Sequence, residues 1–583
     1  MSRRPRIPAV AAAAAIGLSL FLVWDHTRED ALSADEPVHI LSGYLAVFAS
    51  NAIVNIEHPP LMKVLAGAAL AALPLPPPPG RAPLGEGFTR WGHDFLFGGA
   101  VSPDAIAAAA RAPFLLLLAT LLGLVYFAAR SRYGDVPALC AVGLLAFDPN
   151  LVAHAGVVHT DVGAALFFLA SVLAWDRARR NPTAPALALA AATLGLALAT
   201  KFSTVYLAPI LLLQTLISGR RGGEALQKTG ADVARLALVG LGAVAVVFLV
   251  YWAVTRRMDR GEQRRVIAEM VGMRGAPDLS RRIEAVASVS PPLGHYLGGL
   301  ASVARQNAVG GGVNFLLGRI STTGFPHYFA VAFLAKSTLA FLVAAGLALW
   351  GARRLRPPGD SGRAAGDDAR LFLLPVGVLF LASINASYNI GIRHLLPVYP
   401  FLALAAAGAL ARVIEGGVSG RRAAAAALAL GLPVLSLAEL LRIHPHELSY
   451  FNPAVGGPEN GRRILSDSNV DWGLDLRRLA RELARRGEAQ PTVVYFGGDD
   501  VPHRLGVADF SAEPRPRGGI VAFSAFHLAV GPEYYAYHGA HRVAAALAAL
   551  RAEVSRQKPL GRVGHSLYLF SLRPEEPGGK AQR

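Results

Sequence analysis

The chain has 583 residues, of which 53% are hydrophobic and only 17% are charged. Soluble domains carry about 25% charged residues, so this composition excludes an ordinary soluble protein and indicates one that lies largely in a membrane. The formal net charge of +17 does not indicate nucleic-acid binding, because the arginines fall largely in short loops between apolar segments.

Apolar segments recur along the first three quarters of the chain, and a membrane-spanning helix needs about 20 mostly apolar residues. In chain order they predict eleven spans, at roughly 8–24, 105–129, 135–150, 159–176, 183–200, 203–218, 232–254, 328–350, 369–387, 394–412 and 422–441. The first follows a basic start and lacks a small-residue cleavage site, which indicates an uncleaved anchor. The apolar segment 58–76 is ended early by proline and is predicted to lie at the membrane surface.

Basic residues in short loops mark the cytoplasmic side of a membrane protein. With eleven spans, one side receives all of the loops that carry Arg130, Arg132, Arg177, Arg179, Arg180, Arg220, Arg221, Lys228, Arg353, Arg354, Arg356, Arg412, Arg421 and Arg422. The loops 25–104 and 255–327 and the segment after 441 then lie outside. The expected fold class is mainly α: a polytopic bundle over 1–441, followed by a small extracytoplasmic α/β domain over 442–583.

The segment after 441 changes its pattern. "DWGLDLRRLARELARRG" and "HRVAAALAALRAEV" have helical spacing, whereas "PTVVYFGG", "GGIVAFSAF" and "GRVGHSLYLFSL" are typical of short strands. Asp467, Asp471 and Asp475 recur at every fourth position, but they lack the glycine and glutamate of a calcium loop, which favours a capped helix start. "GPEYYAYHGAH" (531–541) is predicted to be a loop on the domain core, with sugar stacking as the alternative.

Carboxylates collect at the predicted outer ends of the spans. Asp35 and Glu36 follow the first span, and "FDPNLVAHAGVVHTDVGAALFF" places Asp161 at the start of another helix. Both sites have a structural interpretation: Ser33 and Glu36 fit a capping box, and Asp161 fits a helix cap. The alternative is catalysis, since carboxylates at a membrane boundary are costly unless they are solvated, paired or used.

Cations are predicted on the same face. Lys201 and Arg393 each lie between two spans, and Arg111 opens the second span. Each alone is explained by a long side chain that reaches from apolar surface to water. Together, carboxylates that face cations suit a phosphate group beside a hydroxyl that loses its proton.

Several motifs together resemble a known family. "DEPVH", "EHPPLMK", "HTDVGAALFF", "GLALATKFS", "HYFAVAFLAKST" and "IRHLLPVYPFLAL" are similar, in this order, to motifs of glycosyltransferases that use polyprenyl-phosphate sugars. These enzymes have the C-type membrane fold, and the likeness is to the protein O-mannosyltransferase and aminoarabinose-transferase group (glycosyltransferase family 39-like). The resemblance covers about residues 5–500.

The resemblance implies roles for the acidic residues. Asp35 takes the position of the catalytic base, Glu36 would help to position the acceptor, and Asp161 matches the second acidic motif. In "EHPP", Glu57 and His58 become candidates for contact with the phosphate or with a divalent metal ion. Members of the family differ in metal use, so no cofactor is expected with certainty and a divalent metal ion stays open.

The implied reaction moves a sugar from a polyprenyl monophosphate to an acceptor hydroxyl with inversion, on the outer face of a bacterial inner membrane. The donor phosphate would be bound by a set of basic residues: Lys201, Arg393, His58 and Arg111. The acceptor is a protein, a lipid or another glycan; membrane lipids surround the chain, and nucleic acid is not a partner. The alternative is a transporter or flippase of lipid-linked sugars, which charges on one face disfavour, because a substrate path carries polar groups through the middle of the spans.

Overall fold

The computed structural model describes residues 7–51, 54–77, 87–217, 223–272, 277–310, 312–353, 363–416 and 419–572. Arg220, Arg221, Arg354 and Arg356, and the end of the predicted outer domain, lie outside these residues. The described chain is mainly α-helical, which confirms the predicted fold class.

Helices occupy all of the predicted spans. As far as Ile217 they are α1 Ile7–Glu29, α2 Glu36–Tyr44, α3 Leu61–Ala69, α4 Gly87–Phe97, α5 Pro103–Tyr133, α6 Asp135–Ala146, α7 Pro149–Ala155, α8 Asp161–Arg180, α9 Ala184–Leu198 and α10 Leu207–Ile217. From there to Ile443 they are α11 Gly223–Thr255, α12 Arg260–Val271, α13 Pro277–Val289, α14 Pro291–Val309, α15 Tyr328–Lys336, α16 Leu339–Arg353, α17 Arg363–Ile384, α18 Val398–Gly416 and α19 Ser419–Ile443. The segment predicted to lie at the surface forms α3 and one 3₁₀ turn, which together are too short to cross a bilayer.

The predicted count of eleven spans is not matched by helix length. Within the described ranges, five helices are long and apolar enough to cross a membrane, namely α1, α5, α11, α18 and α19. The number rises to seven if the bent pairs α6–α7 and α15–α16, with angles of 59° and 120°, each form one span. A hydrophobic run in sequence does not reveal such breaks, and a helix of the length of α9 rises only about 22 Å.

The core of the bundle surrounds α18. Every residue from Val398 to Ala411 is buried, and the helix packs against α5, α6, α16, α17 and α19. Its sequence is rich in alanine and glycine, which lets neighbouring backbones approach closely. Large side chains, including Trp175 of α8 and Tyr399 of α18, fill the spaces between the helices.

The two predicted sets of loops make different contacts in the structure. At one end, Arg132 lies 3.3 Å from Asp176 and 3.7 Å from Asp368, so the ends of α5, α8 and α17 meet there. The two predicted outer loops instead both contact the segment after 441: Arg504 binds Asp104 at 2.5 Å, and the Leu317 amide donates to the Ile464 carbonyl at 2.9 Å. Which end faces the cytoplasm stays a prediction.

The segment after α19 contains a sheet, as the sequence predicts, but the last predicted strand, over 561–572, is a hairpin of two strands. Its helices are α20 Gly457–Ile464, α21 Leu476–Arg486, α22 Val501–Leu505, α23 Ala525–Tyr537 and α24 His541–Val554. After a hairpin in the second outer loop (β1 Asn314–Leu316, β2 Arg319–Ser321) come the strands β3 Thr492–Val494, β4 Gly519–Ser524, β5 Gly561–Val563 and β6 Leu567–Leu572. The sheet order is β3-β4-β6-β5, with β3 parallel to β4 and the other pairs antiparallel.

The prediction of a loop over 531–541 is wrong, because most of this segment continues α23. The Ser524 side chain caps the helix by accepting from the His527 amide, and the apolar run that follows starts the helix before Pro532 is reached. The aromatic side chains therefore lie on a helix that packs against α24 and β4.

Candidate active site

Asp35 lies at the N-terminal boundary of α2, where the first outer loop begins to fold. The carboxylate makes no capping hydrogen bond, so it is not used by its own helix. Half of the predicted capping box forms, since the Ser33 amide donates to Glu36 at 2.8 Å. The Asp35 side chain is closely surrounded by protein but keeps 36% exposure, which leaves it open to an incoming ligand.

Arg393 reaches Asp35 from a position 358 residues later in the chain. It lies in a 3₁₀ turn between α17 and α18, and its Nη1 is 3.2 Å from Asp35 Oδ2. The guanidinium carbon lies 4.4 Å from the centre of the Trp472 ring, a cation–π contact that holds the group in place. The predicted meeting of Asp35 with Arg393 is thus present.

The segment after α19 positions that arginine. Besides the Trp472 contact, Asn469 Oδ1 accepts from the Ile392 amide at 3.0 Å, and Ser468 Oγ donates to the Ile390 carbonyl at 2.7 Å. Asp467 lies beside them in the left-handed region, with φ of 57°. Burial raises its pKa to about 6; the charge of Arg393 opposes this rise, and that of Asp35 adds to it.

Asp161 and Lys201 form the second part of the site. Asp161 is the first residue of α8, as predicted, and its Oδ1 lies 2.6 Å from Lys201 Nζ. Its Oδ2 lies 2.7 Å from His159 Nδ1, within ion-pair distance although not aligned as a hydrogen bond. His159 Nε2 in turn is 3.1 Å from Arg393 Nη1 and 3.4 Å from Asp35 Oδ2. His159 therefore connects the two acidic residues.

The ionisation of Asp35 is set by these neighbours. Burial by itself would raise the pKa of its carboxyl, but the contact with His159 and the positive charge of Arg393 outweigh burial and hold the pKa well below its usual range. Asp35 is consequently an ionised hydrogen-bond acceptor at any pH near neutrality. A carboxylate in this state has the form that a general base requires.

Three histidines meet beside Asp35. The potential ligand atoms of His39, His58 and His159 all lie within 4.8 Å of one another. Burial, followed by the neighbouring histidines, lowers the pKa of both His39 and His58 well below the usual value, which keeps the rings neutral. Neutral imidazole nitrogens suit zinc and related transition ions.

The predicted pair of metal ligands, Glu57 and His58, separates in the structure. Only His58 belongs to the histidine group. Glu57 is exposed, and its carboxylate accepts a hydrogen bond of 2.6 Å from Gln306 Nε2. Consecutive residues in this turn point to different surroundings, a distinction that the sequence does not contain.

Glu36 and Arg111 bind each other and do not join the group formed by Asp35, Arg393 and His159. Arg111 Nε and Nη2 each lie 2.7 Å from a Glu36 oxygen, and the Val158 amide donates to the same carboxylate at 3.1 Å. The remaining donors of Arg111 reach the carbonyls of Ala31, Asp30 and Thr27. Because both side chains are buried and their groups are occupied, we interpret the pair as a structural brace and not as the acceptor and phosphate contacts that the resemblance implied.

Sequence reasoning missed His39, His159 and Trp472 as site residues. A signal existed for the histidines: His39 follows Asp35 by four positions, one turn of helix, and His159 precedes Asp161 by two. For Trp472 no signal existed, because it comes from the segment assigned to the outer domain. The contact between the segment after α19 and Arg393 arises only in the tertiary structure.

Comparisons with known proteins agree with the predicted resemblance. Residues 104–252 match the family model described as dolichyl-phosphate-mannose-protein mannosyltransferase. The match covers about a quarter of the chain and includes Arg111, His159, Asp161 and Lys201. It confirms the resemblance to this group of glycosyltransferases. A search of curated proteins found no match.

Two solved structures are also similar to most of this chain. The Archaeoglobus fulgidus oligosaccharyltransferase tethered to an acceptor peptide is 14% identical with a TM-score of 0.45, covering 75% of this chain and 55% of its own. ArnT from Cupriavidus metallidurans in the apo state is 15% identical with a TM-score of 0.32, covering 96% of this chain and 97% of its own. The chain thus spans about half the length of the oligosaccharyltransferase. TM-scores below 0.5 are too low to transfer a function.

Proposed function

We propose that the chain is a membrane glycosyltransferase that moves a sugar from a polyprenyl monophosphate to an acceptor hydroxyl. The observation that supports this most is the contact of Asp35 with Arg393, at 3.2 Å, beside the Asp161–Lys201 pair. Four further charged or ionisable groups from three other parts of the chain, namely Arg393, His159, Asp161 and Lys201, gather beside this partly exposed carboxylate. A structural role does not require such an arrangement.

In this proposal, Asp35 accepts the proton of the acceptor hydroxyl as the oxygen attacks the anomeric carbon. The new bond forms between the acceptor oxygen and that carbon, and the bond from the carbon to the phosphate oxygen breaks. A single displacement of this kind inverts the anomeric configuration. Because the pKa of Asp35 is low, the carboxylate is ionised at neutral pH but is a weak base, so the proton transfer accompanies the displacement rather than preceding it.

Arg393 and Lys201 would neutralise the phosphate as it leaves. Their charges already lie against Asp35 and Asp161, so the donor's phosphate would compete with these carboxylates for the cations. Charged groups that are already positioned where charge develops in the transition state are a major source of catalysis. Arg111 is left out of this role, because its donors are occupied by Glu36 and by backbone carbonyls.

The donor class comes from the matched family, whose description names a lipid-phosphate mannose and a protein acceptor. We carry over the lipid-phosphate donor and leave the sugar and the acceptor (a protein, lipid or glycan hydroxyl) open. The basic loops at the opposite end of the bundle favour an outward-facing site in a bacterial inner membrane, with the segment after 441 outside the cytoplasm.

The test is transfer of labelled sugar from a panel of polyprenyl-phosphate hexoses and pentoses to a membrane extract, using purified full-length protein. We expect Asp35→Asn to lower transfer by about 10²–10⁴-fold, since it removes the general base. Asp278→Asn is the matched control, because Asp278 is an exposed carboxylate of the second outer loop, and it should leave transfer unchanged. Full transfer by Asp35→Asn would refute the assignment of the base.

A further inference from the structure

The three histidines beside Asp35 come from three separate parts of the chain. His39 lies on α2, His58 in the turn before α3, and His159 just before α8. Their ring centres are 4.8 to 5.2 Å apart, and the three rings are mutually tilted rather than stacked. Tilted rings can direct one nitrogen each toward a common point, whereas parallel stacked rings cannot.

The nitrogens of His39 lack a hydrogen-bond partner within the described part of the chain. The side chain is only 1% exposed, and neither Nδ1 nor Nε2 has a hydrogen-bond partner among the described residues. A buried polar atom without a partner carries an energetic cost that a ligand would remove. These atoms lie on the helix that carries Asp35, so the ligand they lack belongs at this centre.

His159 is held in the form that binds a metal ion. Asp161 Oδ2, 2.7 Å from Nδ1, favours the proton on that nitrogen, and Arg393 Nη1, 3.1 Å from Nε2, faces the lone pair on the other. A carboxylate on the far nitrogen of a histidine fixes the orientation and raises the basicity of a metal ligand. The Nε2 lone pair is then the ligand atom once the ion replaces Arg393 Nη1 as its partner, and it lies next to Asp35.

The turn that contains His58 is stabilised by hydrogen bonds from Lys63. Lys63 Nζ donates to the carbonyls of Asn55 at 2.7 Å and His58 at 2.8 Å. The helices that carry His39 and Lys63 also touch closely, since a Cβ on Gly43 would lie 2.1 Å from the Lys63 carbonyl. The three ligands therefore sit on rigid supports.

We propose that His39, His58 and His159 bind one divalent transition-metal ion, of the zinc or cobalt(II) class, with an open position that faces Asp35 and Arg393. Three imidazoles and an open position are typical of catalytic zinc sites. Magnesium and calcium are excluded as the preferred ion, because both select oxygen ligands. Nitrogen ligands of one tetrahedral ion lie about 3.3 Å apart, so binding would draw the most distant of these nitrogens together by about 1.5 Å.

The open position suits an oxygen of the donor's phosphate. The ion would lie beside the cations assigned to that phosphate, and its charge would be offset by Asp35, Asp161 and the phosphate itself. This part of the inference rests on the proposed function, whereas the binding of the ion does not. The tests of the two can therefore be separated.

The binding test uses purified full-length protein, stripped with a chelator and titrated with cobalt(II) while the visible absorption of the ion is recorded. We expect about one ion per chain, displaced by zinc and not by magnesium. His39→Gln, His58→Gln and His159→Gln should each weaken binding by roughly tenfold or more. Thermal melting of each variant verifies that it is folded.

His295→Gln is the matched control. His295 is 2% exposed on α14, and its two nitrogens also have no hydrogen-bond partner among the described residues, but it is not a member of the histidine group. It should bind cobalt(II) like the parent chain. No binding by the parent chain, or equal binding by a folded His39→Gln variant, would overturn the site.

Asp35→Asn separates the ion from the chemistry. We expect this variant to keep the ion, because the three histidines remain, and to lose sugar transfer. If the parent chain stripped of metal transfers sugar at the full rate, the proposed function stands and the ion's part in it is refuted.

Discussion

Two neighbouring carboxylates of this chain have opposite surroundings. Glu36 is fully buried and binds Arg111, the Ser33 amide and the Val158 amide. Asp35 is 36% exposed and contacts Arg393 at 3.2 Å and His159 at 3.4 Å. The backbone turns at this point, so one side chain enters the packed interior of the loop and the other faces the end of the bundle.

The difference shows how a carboxylate with a structural contact can be distinguished from one that a substrate could reach. Both residues are acidic, both contact an arginine, and both sit at the start of α2. The brace has its acceptor positions filled by protein donors, as buried charges require. Asp35, the proposed base, is partly exposed, and this exposure is a feature that contact with a substrate requires.

The largest expected effect is on stability, from Glu36→Gln. This change leaves the buried Arg111 guanidinium without its counter-charge, which should cost about 3–5 kcal/mol of the free energy of unfolding. Thermal melting and the yield of folded protein in detergent measure the loss. The double variant Glu36→Met with Arg111→Met should recover part of it, because no unpaired charge remains.

A different result would reassign Glu36. If Glu36→Gln melts like the parent chain but transfers no sugar, then the residue acts in the chemistry, as the family resemblance implied. The comparison between the two carboxylates would then fail.

The next effect is on activity, from Arg393→Lys. Lysine keeps the charge but lacks the planar group that binds Asp35 and lies on Trp472. We expect sugar transfer to fall by about 10²-fold with little change in melting temperature. Arg281→Lys, at an exposed arginine of α13, is the matched control and should transfer normally. Parent-like transfer by Arg393→Lys would mean that only charge matters at this position.

A smaller effect is expected from Gly67→Ala, which tests how the site is supported. A Cβ at Gly67 would lie 2.1 Å from the Gly43 carbonyl, so α3 must move away from α2 and His58 away from His39. We expect a loss of about 1–3 kcal/mol in stability and weaker cobalt(II) binding. Gly123→Ala on α5 meets nothing within 4 Å and should have no such effect. Unchanged melting in Gly67→Ala would show that the two helices are not closely packed.

The smallest effect concerns Asp471, which connects the segment that contacts Arg393 with α23, the helix that follows β4. Its carboxylate accepts from the Phe526 and Gly473 amides at 3.2 Å each, and burial raises its pKa to about 7. The folded chain therefore holds this proton more tightly than the unfolded chain, so the contribution to stability falls as pH rises from about 4 to about 7. Asp471→Asn removes the titration.

We expect Asp471→Asn to melt about as the parent chain does near pH 4.5 and above it at pH 8, by about 1 kcal/mol or more in free energy of unfolding. Melting curves over this pH range measure the difference. A gap that is constant with pH would show that this carboxyl does not titrate in the folded chain within that range.

Much of the site was predictable because its charged residues lie at the ends of predicted helices. Helix ends follow from apolar runs, and charged residues at those ends are visible in sequence; this placed Asp35, Asp161, Lys201 and Arg393 on one face. Arg111 fits the same pattern, but its donors are occupied by Glu36 and by backbone carbonyls. An end position shows which groups can meet, but it does not show which of them already have partners.

The histidine group and the role of Trp472 were beyond sequence reasoning. His39, His58 and His159 are spread over 120 positions, and no regular spacing relates them. Trp472 reaches Arg393 only because the tail packs back onto the helix ends. The predicted number of spans exceeds the number of described helices that are long enough to cross a membrane for a similar reason, since helix breaks depend on packing as well as on composition.

The sequence by itself determined the membrane class, the helices, the strands of the terminal sheet and the face that carries the charges. These features depend on hydrophobicity and on turn residues, which add up locally along the chain. Only the tertiary structure decided that Asp35 is partly exposed while Glu36 is buried, and that three histidines lie close together. Which groups end up as partners depends on contacts between residues far apart in the chain, and such contacts leave no local pattern.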